Sequence, residues 1–408
     1  MNPRKFALQH ARLTLTIFTL LAVSGYLLSF GLFYNLYTSN QRLTTKIQAV
    51  TGENKSAKDK LNFIKKEIYN LKNQDQYLIN KQLEEDIKAI ETTYDMAVKA
   101  YEKLLDLKAI SKKTEKFDEE FAQTLTLLSQ RNYSSAEADL KLLNSQILEE
   151  KNKVIAAFVI PANIPTNNAP PSSGYSRQVV NTDLGEFLVD IVTADLNSTR
   201  VIVDTASDGD CGDNCPVLPL ATYISRNGAY AGINGSYFCP TSYPSCAGKS
   251  NTFDTLLMNK NKVYFNSANN VYSSVPAVIF TGNSARFVGA SSEWGRDTGV
   301  DAVLANRPLL VSGGQSVFGG SDQAKEGAKG GRSFIGASGS TAYIGVVHNA
   351  TVGEAAKVLA TMGIQNALNL DDGGSTALWS GGYKAGPGRD LPNVVLFEIG
   401  RASCRERV

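Results

Sequence analysis

The stretch NLDDGGSTALW, residues 369 to 379, sets two adjacent carboxylates, Asp371 and Asp372, before two glycines and two hydroxyls: Gly373, Gly374, Ser375 and Thr376. Carboxylates this close shift each other's ionisation, and glycines weaken regular structure, so the segment reads as a polar turn closing the apolar run IQNALNL. A strand ending in a glycine turn surrounds a concavity with backbone N–H groups and hydroxyls, a nest that favours anions and above all phosphate. The chemistry is that of an anionic-substrate cleft carrying acid/base carboxylates. A tight turn capped by its own Asp side chains, or a calcium loop, would use the same residue types.

Three more polar islands have the same character. AGINGSYF (231–238) places Asn234 and Gly235 between apolar residues and follows them with Tyr237 and Phe238, aromatics suited to stack on a sugar ring. LANRPLLV (304–311) embeds Asn306 and Arg307 in a strand-like apolar run, and GGRSFIG (330–336) does the same with Arg332. An arginine among apolar residues is costly to bury alone, so each needs either a carboxylate partner or an anionic ligand.

The elements that must carry these islands follow from periodicity. GEAAKVLATM, Gly353 to Met362, reads as a helix stopped by Gly363, and NALNL after it as a strand leading into the acidic turn. Short apolar runs (EFLVDIV, TRVIVDT, AYIGVV, NVVLFEI) alternate with turn signals. Residues 178–399 are therefore expected to form an α+β catalytic domain of mixed short strands and few helices. Four prolines among Asn and Ser make residues 159–177 an extended linker before it.

Residues 41–158 contain no proline and repeat apolar residues at three- and four-residue steps, as in Leu61, Ile64, Ile68, Leu71 and again Ile90, Tyr94, Ala97, Tyr101, Leu104. That is an all-α helical stalk or bundle, a candidate for self-association. The register breaks between Leu78 and Leu83, and Asp75 falls on the seam, which argues against a long ideal coiled coil. Further helices are expected at Phe117–Leu128 and Ala136–Ala157, folded back on each other at RNYSS.

Leu13 to Tyr37 runs 25 residues without a charge. As a helix this would be about 37 Å long, enough to cross a hydrocarbon core of about 30 Å. Arg4, Lys5 and Arg12 precede it with no acid before residue 40, so residues 1–12 are expected in the cytoplasm and the carboxy-terminal bulk outside. An uncleaved anchor fits better than a cleaved signal peptide, which would have a shorter core and a small-residue cleavage site. Cys211, Cys215, Cys239 and Cys246 fit two disulfides in that compartment, with the local pairings Cys211–Cys215 and Cys239–Cys246 preferred. A four-cysteine zinc site is the other reading, but neither pair has C-x2-C spacing. Asp-rich DGDCGDN (208–214) lacks the spacing of a calcium loop and reads as a surface turn. The last eight residues, 401–408 with Cys404, can be back-translated to a sequencing adapter and are expected to be non-native.

Composition excludes several functions. Residues 41–158 hold 20 basic and 19 acidic side chains, and residues 177–399 hold 15 and 19. Neither concentrates enough positive charge for a nucleic-acid partner. With only two histidines, His10 and His348, a multi-histidine zinc site is impossible, and a Ser-His-Asp triad could draw only on His348.

AGINGSYF, NRPLLV, GRSFIG and ALNLDDGGST, in that order and spacing, resemble the phosphodiester glycosidase family over residues 178–399. The resemblance implies hydrolysis of a sugar-1-phosphodiester with release of the sugar, and no metal or cofactor is assigned. Asn234, Arg332, Asp371, Gly373, Gly374 and Ser375 match family motif positions, whereas Asp372 stands where glycine is commoner. The expected catalytic set is Asp371, Asp372, Arg332 and Asn234, with Asp371 as the essential carboxylate. Arg307, Asn306, Gly235, Tyr237, His348 and the Gly373–Thr376 turn are expected to bind substrate. The sequence thus reads as a membrane-anchored, extracytoplasmic glycosidase acting on a cell-envelope or extracellular glycan. A non-catalytic glycan-binding module on a stalk is the alternative.

Overall fold

The computed structural model describes residues 3–266, 274–321 and 324–400, so the tail 401–408 with Cys404 lies outside the described residues. The chain forms two compact units, residues 1–89 and 90–408.

The first unit is dominated by one helix, α1 (Pro3–Lys72), followed after a short turn by the start of α2 (Asp75–Lys108). The helix is long and apolar enough to cross a membrane. Its polar half is uninterrupted because residues 38–72 contain no proline and a single glycine, Gly52.

In the second unit the rest of α2 packs with α3 (Glu115–Ser129) and α4 (Tyr133–Ala156). Ala97, Ala100, Leu104 and Leu107 meet Phe117, Leu128, Ala136, Leu140, Leu143 and Ile147, the three- and four-residue spacing of one apolar face per helix. Asn132 caps α4 by accepting from Ser135 N, so the helix starts inside the expected turn. The linker carries no helix, and part of it is pinned to the next strand. Asn167 N donates to Val179 O (2.9 Å), and Gln178 Nε2 donates to Asn167 O and Ala169 O (2.7 and 2.8 Å).

The remainder is built from short strands. In chain order these are β1 (Gly174–Thr182), β2 (Gly185–Asp195), β3 (Thr199–Thr205), helix α5 (Leu220–Asn227) and β4 (Ala231–Asn234). Then come β5 (Leu257–Met258), β6 (Tyr264–Phe265), β7 (Ala277–Thr281), β8 (Ser284–Val288), β9 (Ala302–Ala305), β10 (Leu309–Ser312) and β11 (Gln315–Ser316). The chain ends with α6 (Ala324–Gly327), β12 (Gly330–Ser338), β13 (Thr341–Ala350), α7 (Val352–Thr361), β14 (Asn366–Asn369), β15 (Leu378–Ser380), β16 (Tyr383–Ala385) and β17 (Asn393–Ile399).

They form a seven-stranded sheet, β1-β2-β13-β12-β14-β10-β11, and two five-stranded sheets, β16-β15-β4-β17-β3 and β6-β5-β9-β7-β8. All three present a face to one core, where Val192, Ile335 and Leu368 meet Val203, Ile233 and Phe397 and also Phe265, Val278 and Leu304. The outer face of the large sheet is covered by α7 and that of the second by α5. Strands such as β2 are therefore apolar on both faces, and their sequences read as continuous apolar runs. The α+β expectation holds, and α7 is the expected helix, closed by a capping box between Thr351 and Glu354 and stopped at Gly363, whose φ is +78°. Cys211–Cys215 and Cys239–Cys246 are both disulfides.

Candidate active site

Strand β14 delivers the acidic turn. After Asn369 the chain leaves the large sheet, and Asp371 N donates to Gly235 O (2.9 Å) at the end of β4. The turn therefore sits where the first and second sheets meet. Gly235 is required there: a Cβ would fall 1.8 Å from Asn393 Oδ1 and 2.8 Å from Asn393 O. Gly373 adopts φ +61° and opens a single 3-10 turn through Ser375. No protein acceptor takes the N–H of Gly373 or Gly374 among the described residues.

Four donors converge on the Asp372 carboxylate. Its Oδ2 accepts from Arg332 Nη1 (2.9 Å), Asn369 Nδ2 (3.1 Å) and Tyr237 Oη (3.4 Å), and its Oδ1 from Ser333 N (3.2 Å). Arg332 comes from β12, where the ladder to β13 is irregular between Gly330 and Arg332. Its Nε donates to Ala350 O (2.9 Å) and its Nη2 to Ala328 O. Arg332 therefore has the carboxylate partner that its apolar surroundings demand, and its donors point into the protein. Burial pushes the Asp372 carboxyl up from its ordinary value, while Arg332, Asn369 and the Ser333 N–H act against that by favouring the anion.

Asp371 has a different environment. Its Oδ1 accepts from Asp372 N (2.9 Å), and Ser375 gives it a side-chain hydrogen bond. Burial raises its pKa to about 7, opposed by Ser375 and Arg389, and the neighbouring Asp372 adds a smaller upward push. Proximity of the two acids is thus a minor cause and desolvation the main one. Two adjacent carboxyls are differentiated: one is held by a guanidinium, and the other is poised to exchange a proton near neutral pH.

The remaining expected residues divide by what their side chains touch. Asn234 is fully buried; its Nδ2 donates to Asp371 O (2.7 Å), and its Oδ1 accepts from Ser333 Oγ (2.8 Å) and Ala377 N (3.1 Å). Asn306 is buried too, accepting from Tyr237 N (3.2 Å) and donating to Asn369 O (2.9 Å). Both use their amides to hold backbone in place. Tyr237 lies between Asn369 and Asp372, its hydroxyl accepting from Asn369 Nδ2 (2.8 Å). Thr376 Oγ1 donates to Gly331 O (3.3 Å), tying the turn to β12. Arg307 is exposed, and its carbonyl accepts from Asn369 Nδ2 (3.3 Å), which places the residue at the rim. His348 lies elsewhere: its Nε2 is 2.7 Å from Asp190 Oδ2, in a cluster with Tyr175 and Arg177. Among the described residues no group of three His, Cys, Asp or Glu side chains gathers to hold a metal.

Several residues at the site escaped the sequence reading. Asn369 stands in the quoted stretch, but nothing in its spacing shows that it would reach both Asp372 and Tyr237. Arg389 lies over the glycines, since a Cβ on Gly374 would meet its Nη2 at 2.3 Å, and its guanidinium stacks 5.2 Å from the Tyr243 ring. Tyr243 Oη in turn donates to Asp106 on α2, and Ser245 N donates to Glu102 Oε1 (3.0 Å). Asn349 Nδ2 donates to Ile155 O near the end of α4 (3.3 Å). On α4, half-buried Lys151 has its pKa lowered by burial and by the charge of Arg332, against an upward pull from Asp106. The three-helix bundle is thus a flank of the site, a contact between segments more than a hundred residues apart that no local pattern announces.

Comparison with family models agrees with the motifs. Residues 227–398 match the phosphodiester glycosidase family model. Among solved structures, the chain is similar to the zebrafish N-acetylglucosamine-1-phosphodiester alpha-N-acetylglucosaminidase catalytic domain, auto-inhibited by its pro-peptide. That match has 14% identity and a TM-score of 0.45, and covers 58% of this chain and 87% of that one. It is also similar to a hypothetical protein from Synechocystis (15% identity, TM-score 0.40, 55% of this chain), of which the match spans only 62%. A third similarity is to an exported protein from Burkholderia pseudomallei (13% identity, TM-score 0.35, 52% of this chain and 74% of that one). Among curated proteins none is similar in sequence to this chain. The segment that matches the phosphodiester glycosidase family model, residues 227–398, is the one carrying Asn234, Arg332, Asp371 and the glycine turn.

Proposed function

We propose that the chain is a membrane-anchored, extracytoplasmic hydrolase that cleaves the bond between a sugar and the phosphate of a sugar-1-phosphodiester in an envelope or extracellular glycan. The observation that carries this reading is the split between the two acids: Asp372 clamped by Arg332, Asp371 with a pKa near neutrality. The family match supports the reaction class, and the apolar half of α1 together with two disulfides supports the location.

The phosphodiester departs with the electron pair of the C1–O bond and is a good leaving group without strong acid assistance. Asp371, ionised, takes a proton from the water that attacks the anomeric carbon. Asp372, paired with Arg332, fixes the turn that presents Asp371 to the anomeric carbon. The Gly373 and Gly374 N–H groups, with Arg307 at the rim and Lys151 from α4, hold the phosphate. Asn234, Asn306 and Arg332 position this machinery.

The test is incubation of the full chain in detergent with a panel of sugar-1-phosphodiesters, with and without a chelator. Release of free sugar by the native chain and about 10³-fold slower release by Asp371→Asn is the expected result. Saturable binding with no turnover would make the domain a glycan-binding module instead.

A further inference from the structure

The polar half of α1 carries an apolar seam that nothing else in its unit covers. Leu36, Leu43, Ile47, Val50, Leu61, Ile64, Ile68 and Leu71 are each between 48% and 69% exposed. Their spacing is stricter than an amphipathic helix needs. Taking Leu36 as position d of a seven-residue repeat, the core positions fall at 36, 40, 43, 47, 50, 54, 57, 61, 64, 68 and 71, alternating steps of four and three without a slip. All are apolar except Asn40 and Asn54, both at position a. The irregularity that argued against a coiled coil, Asp75 and the shift between Leu78 and Leu83, lies beyond the end of α1 at Lys72, in a separate helix. Within α1 the repeat is unbroken over 36 residues, about 54 Å of helix.

We infer that residues 36–72 form a parallel, in-register, two-stranded coiled coil with a second copy of this chain. Several observations select that occupant. The surface hollow on α1 is lined by Leu43, Lys46, Ile47, Val50 and Thr51. Four of these are the d, g, a and d positions that together form the hole receiving an a-position knob from a parallel partner, here the partner's Ile47. Asn40 and Asn54 pair with their own counterparts only when two chains run parallel and unshifted, and a buried a-position Asn selects dimers over larger assemblies. Ile47 and Ile68 at a, with Leu36, Leu43 and Leu71 at d, also favour two strands. Leu61 at a followed by Ile64 at d has the opposite preference, which the asparagines counter.

Charge follows the same register. In a parallel dimer a g residue meets the e residue five places on in the other chain, which pairs Glu53 with Lys58 and Glu67 with Lys72. The Lys60–Lys65 pair is repulsive, flanked by the two attractive ones. The seam begins at the end of the apolar stretch, so two copies inserted in one bilayer by that stretch would already run side by side.

The experiment uses the full chain in native membranes, with Cys404→Ser as background so that an introduced thiol is the free one. Under mild oxidation, Val50→Cys and Ile64→Cys, both at d, are expected to give disulfide dimers at least tenfold more efficiently than Lys66→Cys at f of the same repeat. The wild-type chain in detergent is expected to sediment as two copies and the Leu61→Glu/Ile68→Glu chain as one, with hydrolytic turnover per chain unchanged. A wild-type monomer, a trimer or tetramer, cross-linking independent of position, or capture of a foreign chain at Ile64→Cys would each overturn the proposal. Because the thiol scan leaves the rest of the seam intact, it decides the matter even if the double variant fails to fold.

Discussion

Arg332 and Asp372 form a buried ion pair, Nη1 to Oδ2 at 2.9 Å, with their side chains 6% and 10% exposed. The sequence alone left two partners open for this arginine, a carboxylate or a bound anion, and the structure shows the carboxylate. A pair this buried is expensive to break from one side, because the survivor is left charged and undersolvated. Arg332→Ala should cost about 3–5 kcal/mol of stability. Adding Asp372→Asn to it should recover part of that loss. Denaturant unfolding of the two single variants and the double variant measures the coupling, and strict additivity would show the pair to be energetically idle.

Asp371 carries the chemistry in the proposed mechanism. Asp371→Asn keeps an acceptor for the Asp372 N–H and a similar volume, so the fold should survive with its circular dichroism unchanged. Turnover should drop about 10³-fold, the scale of losing a positioned base. A folded variant with native turnover would remove Asp371 from the mechanism.

The same residue predicts two pH dependences. The carboxyl must be ionised to accept a proton, so kcat/KM should rise with pH and level off above about 7, and Asp371→Asn should lose that limb. For stability the sign is opposite. A pKa of about 7 in the folded state, against an ordinary 3.8, means that the folded chain binds the proton more tightly than the unfolded one. This group's contribution is therefore largest below pH 4 and is lost as pH rises through 7. The Tm of Asp371→Asn relative to wild type should accordingly rise between pH 4 and pH 8, and a flat difference across that range would contradict the assignment.

Gly235 joins β4 to the acidic turn through its carbonyl and leaves no room for a side chain against Asn393. Gly235→Ala should cost about 1–3 kcal/mol by overpacking and reduce kcat by displacing Asp371. Adding Asn393→Ala, which removes the clashing amide, should restore part of both, as read by melting and single-turnover rates.

In the proposed mechanism Lys151 adds a cation from the helical bundle. Without an ion-pair partner of its own among the described residues, its charge is available to an anionic ligand beside Arg332. Lys151→Ala should raise KM roughly tenfold with little change in kcat, the pattern of lost uniform binding. The loss should shrink at high salt. An unchanged KM at low salt would place Lys151 outside the binding surface.

Much of this protein was legible in its sequence because the relevant signals are local. Twenty-five uncharged residues announce a helix able to span a membrane, seven-residue spacing announces the seam on α1, and GEAAKVLATM followed by Gly363 announces α7. Close cysteine spacing pointed to both disulfide pairings, and the asparagine, arginine and aspartate islands are the segments the fold brings together at the acidic turn. What the sequence could not supply was the partner of each polar group. Asn234 looked catalytic and Asn306 like a ligand for substrate, but the meeting of β4, β12 and β14 turns their amides onto the backbone beneath the acidic turn. His348 stood near the motifs along the chain, yet strand alternation and the alignment of β13 with β2 put it against Asp190. Asp371 and Asp372 are neighbours with the same chemistry, and burial pushes both carboxyls up; only tertiary packing separates them, by bonding Asp372 to the Arg332 guanidinium and leaving Asp371 with Ser375 and the more distant charge of Arg389. Local pattern determines which elements form. Which donor meets which carboxylate depends on how sheets from distant parts of the chain converge, and that is decided by the shared core.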